Sequence, residues 1–260
     1  MNVSMTGRNA IVTGASMGLG RAIAHRFAEA GAAVAMVARR EGPLEEARAA
    51  IAAETGARVV AVPGDVSDAA GCEAVIAAAQ AALGDIDVLV NNAGSSARAP
   101  FDQVTDAMWQ ADLDLKLFGA IRLTRALFPG MKQRRWGRVI NVLNTGAKAP
   151  PAEGAPTAVS RAAGLALTKV LAGEGAAHNV LVNALLVGKI DSDQWRRRHA
   201  AENRGRSYEE YMAEAGKVLP MGRMGRAEEF ADAACFLASD RASYINGTAI
   251  NVDGGLCPVV

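Results

Sequence analysis

Short apolar segments alternate with amphipathic ones along the whole chain of 260 residues, and this alternation constrains the fold more than any other feature. The first apolar segment, Asn9–Thr13, runs straight into a glycine-rich turn. The second, Ala32–Ala38, is almost wholly apolar, as is typical of a strand that is covered on both faces. Repeated strand–helix–strand units predict a parallel sheet with helices on both faces, and therefore an α/β fold.

The boundaries of these elements follow from apolar spacing, capping glycines and turn residues. We expect strands at Asn9–Thr13, Ala32–Ala38, Arg58–Val62, Asp87–Val90, Arg138–Leu143, Val180–Leu186 and Thr248–Val252. We expect helices at Leu19–Ala30, Pro43–Glu54, Asp68–Leu83, Asp106–Met131, Thr157–Ala177 and Ala227–Ser239. The charged segment Lys189–Arg226 interrupts the rhythm. We interpret it as a lid over a substrate cleft, because long inserts in compact domains are often functional.

The composition excludes several classes of function. The formal net charge is +1, which gives no global attraction for nucleic acid or for an anionic membrane surface. No apolar run approaches the ~18 residues of a membrane-spanning helix, and Met1–Arg8 lacks the apolar stretch of a signal peptide. The three cysteines are widely spaced and show no metal-site spacing, which fits a reducing compartment. We therefore expect a cytoplasmic protein that binds a small molecule and no metal, nucleic acid or membrane.

Three glycines, Gly14, Gly18 and Gly20, lie between the first strand and the first helix. Glycines at such a position let the backbone turn tightly and approach a pyrophosphate, which the free N–H groups and the dipole of a helix N-terminus stabilise. The same pattern is compatible with an ordinary strand-to-helix turn. Because ligands of open parallel sheets lie beyond the carboxyl ends of the strands, one cleft would hold every motif that follows a strand.

Four motifs in combination resemble the short-chain dehydrogenase/reductase family. They are Thr-Gly-x-x-x-Gly-x-Gly from Thr13, Asp65-Val66, Asn-Asn-Ala-Gly from Asn91, and the tail from Ile245 to Gly255. The resemblance covers nearly the whole chain. It implies a Rossmann-like three-layer sandwich with a seven-stranded parallel sheet, in which residues 1–260 form one NAD(P)-binding domain. It also implies a homo-oligomer, a dimer or a tetramer, although core burial alone would explain the apolar helix faces.

The resemblance assigns cofactor contacts residue by residue. The implied contacts are Gly14, Ser16, Met17, Gly18, Leu19, Gly20, Arg39, Asp65, Val66, Asn92, Ala93, Gly94, Arg161, Val187, Gly188, Ile190 and Ser192. At the end of the second strand, an acidic residue would select NAD by hydrogen bonding to its ribose hydroxyl. This chain has Arg39 there, and an arginine suits a 2′-phosphate, so NADP(H) is favoured over NAD(H). A solvated pair of arginines, Arg39 and Arg40, is the alternative.

The four positions where the family keeps its catalytic asparagine, serine, tyrosine and lysine read Lys116, Asn144, Thr157 and Arg161. In such enzymes a tyrosine, tuned by a neighbouring lysine, supplies the proton for the forming alkoxide. Threonine is too weak an acid and arginine essentially never gives up its proton, so this relay is missing. Asn144 and Thr157 still offer hydrogen bonds to a carbonyl or an oxyanion, and Arg161 still suits the nicotinamide ribose.

Two lysines are candidates for a substitute role. We expect Lys116, or Lys148 on the loop 145–156, to donate a proton or to hold an anionic substrate. Burial and the neighbouring Arg161 would lower the pKa of Lys116. An exposed loop charge is the simpler interpretation of Lys148. The basic run from Trp195 to His199 is likewise either a contact for a carboxylate or phosphate, or a solvated helix face.

Three functions are therefore open. The first is an NAD(P)(H)-dependent oxidoreductase that acts on a small organic substrate without the tyrosine relay, which suits a protonated imine or an activated double bond. The second is a non-catalytic dinucleotide-binding sensor, or a partner subunit of an active relative. The third is a dehydratase or isomerase with Lys116 or Lys148 as its base. For all four replaced positions, a decayed site with scaffold roles is the alternative.

Overall fold

The computed structural model describes residues 3–202 and 205–260, and its centre is one parallel sheet with the strand order β3-β2-β1-β4-β5-β6-β7. The strands are β1 Asn9–Thr13, β2 Ala33–Ala38, β3 Val59–Pro63, β4 Val88–Asn91, β5 Gly137–Asn144, β6 Val180–Val187 and β7 Ala249–Val252. All seven predicted strands are confirmed, with ends that differ by at most one residue. The predicted seven-stranded Rossmann-like fold is likewise confirmed.

Nine helices lie in the described part of the chain, besides short 3-10 turns. They are α1 Gly18–Glu29, α2 Glu41–Thr55, α3 Ala69–Leu83, α4 Asp106–Leu113, α5 Gly119–Arg134, α6 Thr157–Ala176, α7 Asp193–Glu202, α8 Tyr208–Gly216 and α9 Ala227–Ala238. The helix predicted at Asp106–Met131 is present, but a π-helical turn, Asp114–Phe118, separates its two halves. Such turns often occur at functional sites.

Two apolar clusters pack the helices onto the two faces of the sheet. One contains Phe27 of α1 and Phe230 of α9, and the other contains Ile76 of α3 and Leu123 of α5. The strand order reverses between β1 and β4, which pair in parallel. Ligands of such sheets bind beyond the carboxyl ends of the strands at this point. The glycine turn after β1 and the Asn-Asn-Ala-Gly motif after β4 therefore lie side by side.

The predicted lid, 189–226, contains the helices α7 and α8. Residues 203 and 204 of this segment, and the side chain of Arg197 in its basic run, lie outside the described residues. An isolated bridge between Ile190 and Gly225 ties the two ends of the segment together. In the described part of the chain, no helix combines the length and the apolar character needed to cross a membrane.

Candidate functional site

The glycine turn after β1 is packed so closely that only glycine fits. Gly14 has a φ of +65°, and a Cβ atom there would lie 3.0 Å from the Cα of Ala93. A Cβ atom at Gly20 would lie 2.2 Å from the carbonyl oxygen of Gly14 and 2.6 Å from Nδ2 of Asn92. The turn thus brings backbone against backbone, as a loop that cradles a phosphate requires.

The N-terminus of α1 is open to a ligand. Met17 precedes the helix in an extended conformation, and its side chain does not cap the first turn. The N–H groups at the start of a helix lack partners within the helix, so they are available to an anion. Ser192 lies nearby, since its Cβ is 3.9 Å from a Cβ atom built at Gly18. The structure thus brings Met17, Gly18 and Ser192 together.

Asn92 fixes the turn to the end of β4. Its Nδ2 donates to the carbonyl oxygens of Thr13, at 2.8 Å, and Gly14, at 3.2 Å. The Thr13 hydroxyl oxygen accepts from the backbone N–H groups of Asn92, at 2.9 Å, and Ala93, at 3.0 Å. The side chain of Asn92 is therefore engaged in shaping the cleft, and Ala93 and Gly94 border the opening.

The arginines at the end of β2 reach different partners. Arg39 is largely exposed, and its Nη1 lies 3.9 Å from Oδ2 of Asp65. Arg40 turns toward the glycine turn, where its Nη2 is 3.9 Å from Sδ of Met17. Sequence reasoning selected Arg39 and missed Arg40 as a neighbour of that turn.

Contacts with neighbouring residues fix the segment that follows β6. The backbone N–H of Gly188 donates to Val252 of β7 at 3.2 Å, and a Cβ atom at Gly188 would lie 2.5 Å from Cβ of Asp253. Ile190 is buried. These contacts fix the path of Val187 to Ser192 along the rim of the cleft.

Lys116 and Thr157 belong to a closed, buried network that the sequence did not predict. The Lys116 ammonium donates to Oδ1 of Asp112 and, at 2.8 Å, to the Thr157 hydroxyl. The Ser160 hydroxyl donates to Oδ2 of Asp112 at 2.6 Å. The side chains of Lys116 and Asp112 are each only 1% exposed. We call these four residues, Asp112, Lys116, Thr157 and Ser160, the buried cluster.

The hydroxyl of Thr157 is not free to bind a substrate. Its single proton is donated to the carbonyl oxygen of Ala97 at 2.8 Å. Its oxygen accepts from the backbone N–H of Ala97 at 3.0 Å and from Lys116. Thr157 is 4% exposed. These contacts do not match the expectation that Thr157 holds an oxyanion. The short side chain instead anchors the loop that follows β4 to the start of α6.

The charge of Lys116 is balanced within the cluster. Burial lowers the pKa of Lys116, the hydrogen bond to Asp112 opposes that effect, and the positive charge of Arg161 adds to it. The expected direction is thus confirmed, but the ammonium does not face the cleft as a proton donor or clamp would. Asp112 and Ser160 were missed. The four-residue spacing of Asp112 and Lys116 on a helix was the signal that could have revealed the pair.

Asn144 and Arg161 differ from the buried cluster because they keep unpartnered polar groups. Arg161 donates from Nη1 to the carbonyl oxygen of Val142 at 2.8 Å, and burial lowers its pKa to about 10, so it stays a cation at neutral pH. Its Nε has no hydrogen-bond partner among the described residues, and neither does Oδ1 of Asn144. A Cβ atom at Gly94 would lie 2.5 Å from Nη2 of Arg161. Glycine at this position thus leaves room for the guanidinium at the cleft.

Lys148 does not join this group. Its ammonium donates to the carbonyl oxygen of Ala249 at 2.8 Å. Ala249 is the first residue of β7, whereas the cleft lies at the carboxyl ends of the strands. The three residue-to-residue steps from Ala249 to Val252 span roughly 10 Å of strand. The structure therefore gives Lys148 a role in fixing its loop to the sheet, which does not match the expected proton donor.

Comparisons with known proteins agree with the fold and the motifs. A family model described as enoyl-(acyl carrier protein) reductase matches residues 14–257. The acetoacetyl-CoA reductase of Shinella zoogloeoides is 36% identical over 256 residues, which cover 95% of this chain and 98% of that protein.

Two solved structures are similar over the whole length. L-sorbose reductase from Gluconobacter frateurii, in complex with NADPH and L-sorbose, has a TM-score of 0.95 and 33% identity, and the match covers 100% of both chains. A short-chain oxidoreductase from Pseudomonas aeruginosa PAO1, bound to NADPH and described as containing an atypical catalytic centre, has a TM-score of 0.92 and 36% identity over 99% of both chains. The chain therefore belongs to the short-chain dehydrogenase/reductase family of NAD(P)-dependent oxidoreductases.

Proposed function

We propose that the chain is an NADP(H)-dependent reductase that uses hydrogen-bond donors and a fixed positive charge where its family uses a tyrosine–lysine proton relay. One contrast carries this proposal. Thr157 and Lys116 are buried and hydrogen bonded to each other and to their neighbours, whereas the side-chain amide of Asn144 makes no hydrogen bond among the described residues and Arg161 donates only from Nη1. The protein thus keeps charge-stabilising groups at the positions of the family serine and lysine, but has no acid at the position of the tyrosine.

The cleft fits a dinucleotide. The close backbone packing at Gly14 and Gly20 and the uncapped start of α1 are the features that such a ligand needs. Gly18 and Ser192 would hold the pyrophosphate, Asp65 and Val66 the adenine, and Arg39 a 2′-phosphate. A bound nicotinamide would supply the hydride. NADPH is bound by both the Gluconobacter and the Pseudomonas relatives, which supports NADP(H) here.

The charge of the site favours one class of substrate. Hydride addition to a carbon–carbon double bond conjugated to a carbonyl group places negative charge on the carbonyl oxygen. The amide N–H group of Asn144 and the Arg161 cation would stabilise that charge. A protonated imine is itself a cation, and Arg161 would repel it, since Asp112 is already paired with Lys116. An enolate is a weaker base than an alkoxide, so a proton from water suffices to complete its reduction.

A second function is favoured by the buried cluster itself. Every member of the cluster is satisfied by another member or by the backbone, as in a structural core. A protein that binds the dinucleotide without turnover, as a sensor or as a partner of an active relative, would need this rigidity and no acid. The buried ammonium of Lys116 gives no support to a dehydratase or isomerase that uses it as a base.

The test is a comparison of substrate classes with the purified protein. Conjugated enones, preformed imines and simple ketones are incubated with NADPH, and loss of the reduced nicotinamide is followed by absorbance. We expect turnover of enones above that of imines and ketones, and a loss of about 10²-fold in kcat for Asn144→Ala. Tight NADPH binding with no turnover of any class would support the sensor and refute the reductase.

A further inference from the structure

A cavity of about 910 Å³ adjoins the start of α1 and continues along the groove between α1 and α9. Met17, Gly18 and Ser192 line it beside the proposed pyrophosphate site. Four arginines also line it: Arg21 and Arg26 of α1, Arg196 of α7 and Arg226, which precedes α9.

Most acidic side chains of this cavity already have partners. Glu54 lies 2.8 Å from Nε2 of His25, and Asp232 lies 2.7 Å from Nε of Arg26. Glu29 lies 3.3 Å from Nη1 of Arg26. The guanidinium of Arg21, by contrast, has no hydrogen-bond or ion-pair partner among the described residues. Positive charge therefore remains available to an anion at the end of the cavity that contains Gly18.

Among the charged side chains on the lid side of this cavity, Arg196 makes the longest ion pair. Its Nη2 lies 4.0 Å from Oδ2 of Asp191, at the outer limit of an ion pair, and its side chain is 63% exposed. Its guanidinium stacks on the ring of Tyr208 at 4.6 Å. Tyr208 in turn donates its hydroxyl proton to Oδ1 of Asp191. Asp191 thus already has a donor and does not depend on Arg196.

The backbone places Arg196 close to the phosphate-binding end. Its N–H group donates to the carbonyl oxygen of Ser192 at 3.3 Å, so Arg196 lies one helical turn beyond Ser192. Ser192 is the residue that approaches Gly18. A pyrophosphate at the start of α1 carries two negative charges, whereas Asp191 carries one that Tyr208 already shares. A guanidinium binds phosphate oxygens through paired N–H groups.

We propose that Arg196 is a cofactor-positioning residue: it leaves Asp191 for the pyrophosphate when the dinucleotide binds, and so draws α7 and α8 over the cleft. This inference rests on the proposed cofactor binding. Asp191 is the resting partner of Arg196, and Tyr208 keeps Asp191 hydrogen bonded after the change. The cavity, the long ion pair and the position of Ser192 carry the assignment.

The chain offers a matched control for Arg196. Arg198 lies on the same helix with the same charge, but its guanidinium stacks on Trp195 at 5.0 Å and it does not line the cavity. In calorimetric titrations with NADPH, we expect Arg196→Ala to weaken the Kd about tenfold, as for one lost charge-assisted contact. Arg198→Ala should change it less than about twofold. Asp191→Asn, which keeps an oxygen for Tyr208 and releases Arg196, should tighten binding about threefold.

Hydrogen exchange gives a readout independent of affinity. NADPH at saturation should protect the amides of residues 205–216 in the wild-type protein and in Arg198→Ala, but not in Arg196→Ala. Equal affinity losses for the two arginine variants, or unchanged protection in Arg196→Ala, would overturn the proposal. If the wild-type protein does not bind NADPH at all, the proposed function fails instead, and the two failures are thereby distinguished.

Discussion

Replacing Lys116 with methionine should destabilise the protein strongly, because it leaves a buried carboxylate without its counter-ion. The Asp112 side chain is 1% exposed, and Ser160 at 2.6 Å would be its main remaining donor. Keeping an aspartate protonated costs about 1.4 kcal/mol for each pH unit above about 4, so about 4 kcal/mol at neutral pH. This value agrees with the roughly 3–5 kcal/mol measured when one partner of a buried ion pair is removed.

The expected loss of stability in Lys116→Met becomes smaller as the pH is lowered. Protonation removes the unpaired buried charge. The loss in free energy of unfolding of Lys116→Met should therefore shrink by about 1.4 kcal/mol for each pH unit by which the pH is lowered, and be about 1.5 kcal/mol at pH 5. The double variant Asp112→Asn/Lys116→Met removes both charges and leaves the side-chain oxygen for Ser160. Its free energy of unfolding should lie within about 1 kcal/mol of the wild-type value, since uncharged replacements of buried pairs are often neutral.

The assay is urea unfolding at pH 7 and pH 5, followed by tryptophan fluorescence. Lys217→Met is the control, because Lys217 pairs with Glu214 at 2.6 Å on the exposed face of α8. Such surface pairs contribute roughly 0–1 kcal/mol, so this variant should behave like the wild type. A Lys116→Met variant that is as stable as Lys217→Met, or a double variant that is less stable than Lys116→Met, would refute the account of the buried cluster.

Three further outcomes are expected. Arg39→Ala should weaken NADPH binding about tenfold in calorimetry and leave NADH binding unchanged, and equal losses for both would remove Arg39 from the 2′-phosphate site. Thr157→Val should leave kcat for a reduced enone within about threefold, in contrast to Asn144→Ala, because the Thr157 hydroxyl does not reach the substrate; a loss of about 10²-fold would contradict this. The hydrogen bond from Arg223 lowers the pKa of Glu229 from 4.5 to about 2, so its contribution to stability should be present above pH 4.5 and lost as the pH falls toward 2. Glu229→Gln should therefore flatten the acid limb of the stability profile, and an unchanged limb would exclude this role.

The fold could be predicted because its signals are local. Buried parallel strands are continuous apolar runs, and the glycine turn after β1 stands next to them in sequence. Among the features that were missed is the π-helical turn Asp114–Phe118, which carries Lys116. Its sequence has no proline or glycine break to mark it, since Gly119 only follows it. Packing of neighbouring elements, which the sequence does not display, determines such a turn.

The site could be predicted only in part. Family motifs pointed to Asn144 and Arg161, and in the structure both side chains have polar atoms without hydrogen-bond partners among the described residues. They could not show that the hydroxyl of Thr157 is hydrogen bonded to the backbone of Ala97, because that contact joins residues 60 positions apart. Asp112 was missed for the same reason: its burial depends on α6, which contributes Ser160. The tie of Lys148 to β7 is also non-local, across 101 positions.

The central claim is that the chain still binds a dinucleotide in its cleft, although it lacks the tyrosine–lysine proton relay of its family. Calorimetric titration of the wild-type protein with NADPH and with NADH tests it most directly. We predict saturable binding of NADPH at low-micromolar concentration and weaker binding of NADH. Binding of neither cofactor would contradict the account, because the glycine turn, Gly94 and Arg161 would then be a scaffold without its ligand.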